Sequence, residues 1–173
     1  MSDGWDKPLK LHEVNRGPVR LTLVPDEAER AAVAKRLGLR RVPELKAEVT
    51  VKPWLDGAEL SGRFKAIVEY VCGVTLDPFE APVSGEVFAR VVPTGSPNAP
   101  ADSVGEMELD PEAEDPPDVL AGDAVDVADY VVEHLALELD PFPRKPGATF
   151  DYEPPQQEES PFAVLKKLQE RKD

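Results

Sequence analysis

Between Glu44 and Val91 the chain alternates apolar and polar residues in three successive stretches. Leu45, Ala47, Val49 and Val51 are separated by polar residues, a period of two that predicts a half-buried strand. After the turn signal Asp56-Gly57, Leu60, Gly62, Phe64, Ala66, Val68 and Tyr70 alternate with Ser61, Arg63, Lys65, Ile67 and Glu69. This second, longer strand completes a hairpin. Beyond the connection "CGVTLDPFEAP", Val83, Gly85, Val87, Ala89 and Val91 alternate again and predict a third strand. An antiparallel meander with one face on a core follows.

Helical spacing flanks this meander. In "VPDEAERAAVAKRLGLR" Asp26 is placed to cap, Glu29 completes a capping box and Gly38 supplies the stop. The apolar stripe Ala28, Val33, Ala34 and Leu37 suits a helix lying across a sheet. In "DVLAGDAVDVADYVVEHLALELDPFP" Asp126 caps a helix running to about Leu139, with Ala128, Val131, Val132, Leu135 and Leu139 on one face. Tyr130 and Leu137 share the far side, where internal packing is expected. Together these elements predict an α+β fold, an antiparallel sheet with packed helices and an extended C-terminal tail. Whether the sheet curls into a partly closed barrel stays open.

Residues 93–118 are rich in proline and acid and read as a mobile segment, holding at most a short strand at Met107 to Leu109. A single domain over residues 1–140 is expected, followed by a tail over residues 141–173. The tail is polar until Ser160, where a cap, a proline and Phe162, Val164, Leu165 and Leu168 predict a short amphipathic helix. Such a helix is marginal alone and must dock on this domain or on a partner, with Phe162, Leu165 and Leu168 as its contacts.

The net charge of −14 is unevenly placed: residues 1–100 hold 14 Lys/Arg against 14 Asp/Glu, and residues 101–173 hold 6 against 20. Nucleic-acid contact is therefore expected from the charge-balanced half if at all. Arg30, Lys35, Arg36, Arg40 and Arg41 form a run without an acid. It reads either as a solvated basic helix end or as a contact for RNA or an acidic partner. The N-terminus lacks the apolar core of a signal peptide and no apolar run is long enough to span a bilayer, so a cytoplasmic location without membrane attachment is expected.

Catalytic chemistry is not indicated. Cys72 is the single cysteine, His12 and His134 stand at no metal-ligand spacing to it, and its neighbours include Asp77 and Glu80. It reads as a small buried side chain. His134 reads as a polar residue flanking its helix's apolar stripe. Asp110 with Glu112 and Glu158 with Glu159 fall in polar segments unsuited to tuning a catalytic pair. No Gly-rich phosphate loop, Ser/His/Asp pattern or aromatic-and-basic stacking motif stands out, and neither a cofactor nor a metal is expected.

The order of "ERAAVAKRLGL", "LKAEVTV", "LSGRFKAIVEYVCGVTLDPFEAPV", an acidic linker, "DVADYVVEHLALELDPFPR" and "SPFAVLKKL" resembles the YceD family of large ribosomal RNA subunit accumulation proteins. The likeness runs from about Val14 to Leu168. It implies a small bacterial cytosolic protein with no established catalytic activity, whose loss reduces large-subunit ribosomal RNA and which acts in rRNA processing or large-subunit assembly. Many members carry Cys-x-x-Cys at the strand end, whereas here Thr75 follows Cys72 in the second place. Cysteines that some members carry near the C-terminal region are absent too. The resemblance thus implies no metal for this chain and leaves Cys72 as part of a structural corner. There Pro78 and Pro82 restrict the chain while Val74, Leu76 and Phe79 are expected to pack back on the sheet.

The resulting expectation is a ribosome biogenesis protein bound to a ribosomal precursor particle. Its acidic second part would take a basic ribosomal protein or assembly factor, and its Arg30 to Arg41 end would take rRNA. Oligomeric state is left open. The rival readings are a hydrolase using Asp126, Asp129 and Glu133, and a metal- or redox-responsive module.

Overall fold

The three alternating stretches fold into three long antiparallel strands, longer at both ends than their periodic cores. In the computed structural model, which describes residues 4–100 and 115–150, these are β3 (Arg41–Trp54), β4 (Gly57–Val71) and β5 (Pro78–Pro93). Before them come β1 (Pro8–Lys10), the single turn α1 (Leu11–Val14), β2 (Val19–Leu23) and α2 (Glu27–Leu37). After them come β6 (Asp118–Leu120), β7 (Ala124–Asp126) and α3 (Val127–Leu137).

The main sheet has the order β2-β3-β4-β5-β6 and is open, with no pairing between its outer strands. It is antiparallel except for its last pair, where Val91 to Pro93 run parallel to Asp118 to Leu120. β1 and β7 pair antiparallel in a separate two-stranded ribbon. The expected strand at Met107 to Leu109 and the expected helix with Phe162, Leu165 and Leu168 lie outside the described residues.

β5 begins five residues before the expected start at Val83. Phe79 and Ala81 extend its inward-facing series, and β5 is an edge strand up to Arg90, so Pro82 removes no ladder bond. The connection shrinks to Cys72 through Asp77.

One face of the sheet is covered. Leu45, Ala47, Val49, Val51, Leu60, Phe64, Val68 and Val87 point into it and meet Val33 and Ala34 of α2 and Ala128, Val131, Val132 and Leu135 of α3. Each large aliphatic or aromatic side chain buried there stabilises the fold by roughly 1.5–3 kcal/mol. Gly85 sits opposite Phe64, and a Cβ there would lie 3.0 Å from the Phe64 ring and 2.8 Å from Cγ of Glu138. The missing side chain leaves room there for the Phe64 ring and the Glu138 side chain.

α2 starts and stops as its sequence dictates: Asp26 accepts from Glu29 N–H, Glu29 accepts from Asp26 N–H, and Gly38 closes the helix at φ 66°. Ala28 is exposed rather than part of the buried stripe. On α3 the expected far-side packing fails at Leu137, which is 80% exposed. Tyr130 is half-buried, its hydroxyl donating to Asp118 Oδ2 at 3.0 Å. The opposite face of the sheet carries no described element: Lys46, Glu48, Lys52, Arg63, Lys65, Ser84, Glu86 and Phe88 all stand exposed on it.

Candidate functional site

Because α2 ends at Gly38 and β3 begins at Arg41, the basic run wraps a helix end and enters a strand. Arg30, Lys35, Arg40 and Arg41 come together in the lining of one open groove of about 550 Å³, with Glu27 on its rim. Arg36 is not among them. It turns toward α3 and forms an ion pair with Asp129.

The groove is less positive than the run of cations implies. Arg40 Nε lies 3.0 Å from Glu69 Oε1, and Arg41 reaches Glu80 at 3.3 Å and Glu69 at 3.9 Å. Such exposed pairs contribute about 0–1 kcal/mol each, yet two carboxylates against two arginines formally offset the charge these arginines offer. Arg30 is half-buried and donates to the Pro25 carbonyl at 2.8 Å. Lys35 forms no ion pair with a described residue.

The strand-end corner is built around Cys72, which is fully buried. Its N–H donates to the Asp77 carbonyl and its carbonyl accepts from Leu76 N–H, both at 2.9 Å. Its sulfur accepts from the N–H groups of Val74, Thr75 and Lys145, each at 3.4 Å. A hydrogen bond from the Thr75 side chain, then the Thr75 and Lys145 N–H groups, bring the thiol down to about 6 against its burial. The segment after α3 is fastened here as well, since Gly73 N–H donates to the Pro143 carbonyl at 2.9 Å and Lys145 Nζ stands 3.6 Å from Asp77.

Of the side chains expected to pack back, Phe79 does so, stacking on Tyr70 at 5.8 Å between centroids, and Val74 is half-buried. Leu76 does not: the two turn-closing bonds force it to φ 61°, and its side chain is 74% exposed. Pro78 is already the first residue of β5. One thiol with Thr75 in the place of a second does not make the four-donor set of a structural zinc site. No three His, Cys, Asp or Glu side chains gather around one point among the described residues.

The carboxylates of α3 have other partners. Asp126 accepts from the N–H groups of Lys7, Ala128 and Asp129, and Asp129 is held by Arg36. Glu133 has its carboxyl raised by burial and then by the neighbouring Asp129 charge. With His134 Nδ1–H donating to the Tyr130 carbonyl at 2.7 Å, Nε2 accepts from Phe88 N–H at 3.3 Å. His134 thus ties α3 to the free edge of β5.

Sequence alternation marks Arg20, Lys46, Lys52, Arg63, Lys65, Phe88 and Arg90 as the solvent side of their strands and nothing more. The structure adds that the strand register assembles them on one face that no described element covers. No helix among the described residues is long and apolar enough to cross a membrane.

Neither the curated proteins nor the solved structures contain a match to this chain. The family model described as "Large ribosomal RNA subunit accumulation protein YceD" matches residues 60–169, starting within β4 and covering more than half of the 173 residues. This chain therefore belongs to the YceD family.

Proposed function

We propose that this chain is a non-enzymatic ribosome biogenesis factor that supports accumulation or processing of large-subunit ribosomal RNA by attaching to the ribosomal precursor particle in the cytoplasm. The family's name gives the process. The observation that carries the attachment is the convergence of Arg30, Lys35, Arg40 and Arg41 on one open groove. The acidic second part, with 20 Asp/Glu against 6 Lys/Arg, suits a basic ribosomal protein or assembly factor. Complementary fields of this kind speed encounter and suppress wrong partners. The hydrolase reading loses two of its three acids, because Asp126 caps a helix and Asp129 is ion-paired.

The test is the ratio of large- to small-subunit ribosomal RNA in cells lacking the gene. The ratio falls on deletion and is restored by the wild-type chain, while a chain carrying Lys35→Glu, Arg40→Glu and Arg41→Glu restores it only in part. An unchanged ratio on deletion would refute the proposal.

A further inference from the structure

The face of the main sheet that no described element covers differs in charge from the molecule that carries it. Strand register places Arg20, Thr50, Ser61 and Phe88 in one row, Lys52, Glu59 and Arg90 in the row beside it, and Thr22, Glu48, Arg63 and Glu86 on the other side. Lys46, Lys65 and Ser84 form the next row. These rows hold six Lys/Arg against three Glu, in a chain of net charge −14. In the next rows Glu44 stands exposed beside Ile67, and the acids Glu69 and Glu80 are already paired with Arg40 and Arg41.

Two of the three glutamates are each clamped between two cations. Glu48 meets Lys46 and Arg63, both at 3.2 Å, and Glu59 meets Lys52 at 2.7 Å and Arg90 at 3.2 Å. Arg20 and Lys65 form no ion pair with a described residue. Lys46 and Lys65 stand directly opposite each other across β3 and β4, where Glu48 already offsets Lys46 and Lys65 has no ion pair with a described residue. They line a recess of about 710 Å³ together with Glu44 and with Arg30, which also lines the α2 groove, so the recess and the groove adjoin.

The face also carries aromatic side chains. Phe88 is 54% exposed. The Arg90 guanidinium lies 5.4 Å from the Phe88 ring centroid and 5.0 Å from that of Trp54, and His134 pins the Phe88 backbone from the strand edge. Arg90 thus lies beside a ring that remains 54% exposed. Thr50 and Ser61 lie in the same row as hydrogen-bonding neighbours.

An exposed aromatic ring among spaced cations and hydroxyls, on an open sheet, is the chemistry that takes unstacked bases and their phosphates. An acidic peptide would use the cations and leave the ring unused. We propose that this sheet face binds a single-stranded RNA segment, with Phe88 stacking on a base and Arg20, Lys46, Lys52, Arg63 and Lys65 meeting phosphates. The inference rests on the reading of the chain as an rRNA factor and assigns it a contact surface beyond the α2 groove.

The experiment is fluorescence anisotropy of a dye-labelled oligouridine of about twelve nucleotides, titrated with the full chain between about 50 and 200 mM salt. Phe88→Leu keeps an apolar cover for Arg90 but removes the ring, and weakens binding about ten-fold. Arg20→Gln with Lys65→Gln, which breaks no ion pair with a described residue, flattens the slope of log affinity against log salt by about 1.4. Arg40→Gln with Arg41→Gln, in the α2 groove, weakens oligouridine binding less than Arg20→Gln with Lys65→Gln does. Unchanged melting temperatures establish that each variant is folded.

The proposal is overturned if Phe88→Leu binds as tightly as wild type, if only the groove variant loses affinity, or if an RNA duplex competes as well as the oligouridine. Displacement by a polyglutamate peptide with equal strength from wild type and Phe88→Leu would assign the face to an acidic protein instead. If the chain fails to bind the oligouridine yet still sediments with precursor particles, the sheet-face contact falls and the proposed function stands. If it does neither, both fall.

Discussion

Cys72 is buried, yet three backbone N–H groups point at its sulfur. With the Thr75 side chain they hold the thiol at about 6 in the folded protein, against 9.0 for the free group. Between these values the unfolded chain binds a proton that the folded chain does not, so stability rises with pH across that window. The contribution is fully present above pH 9 and is lost as pH falls through about 6. Cys72→Ala removes the group, so the gap in urea midpoint between wild type and variant widens from pH 6 to pH 9. Parallel midpoints over that range would show that the sulfur stays protonated. The burial of this residue is legible in the sequence. Its donors are not, because one of them, Lys145, lies 73 positions away.

Asp126 shows how one element is secured by another. Its carboxylate caps α3 through Ala128 and Asp129 and also takes the N–H of Lys7, 119 positions away, where β1 pairs with β7. Removing it by Asp126→Ala leaves three N–H groups without that acceptor and is expected to cost about 2 kcal/mol in urea unfolding, with Asp126→Asn retaining most of the stability. A loss below about 0.5 kcal/mol would mean that water replaces the cap at no cost. The cap itself is legible because it is local, as are α2 with its capping box and the three long strands with their period of two. β1, β7 and β6 escape a local reading, since each is three residues long and finds its partner far along the chain. β2 carries a signal in Val19, Leu21 and Leu23, confined to five residues between Pro18 and Pro25. The same limit applies to the basic site: the meeting of Arg40 and Arg41 with Lys35 follows from adjacency in sequence. The loss of Arg36 to Asp129 depends on a contact across 93 positions.

The whole molecule divides its charge: a balanced half that builds the sheet and α2, and a half that carries the entire excess of acid. On the proposed function, the basic groove and the cationic sheet face of the first half would meet RNA and the acidic field of the second a basic protein. The charge contacts of both proposed attachments weaken as salt shortens the range of the field. Sedimentation of lysate through a sucrose gradient, with the tagged chain followed across fractions at low and moderate salt, tests this most directly. The chain is predicted to travel with large-subunit precursor particles at low salt and to leave them as salt rises. A chain that stays at the top of the gradient at low salt would contradict the account.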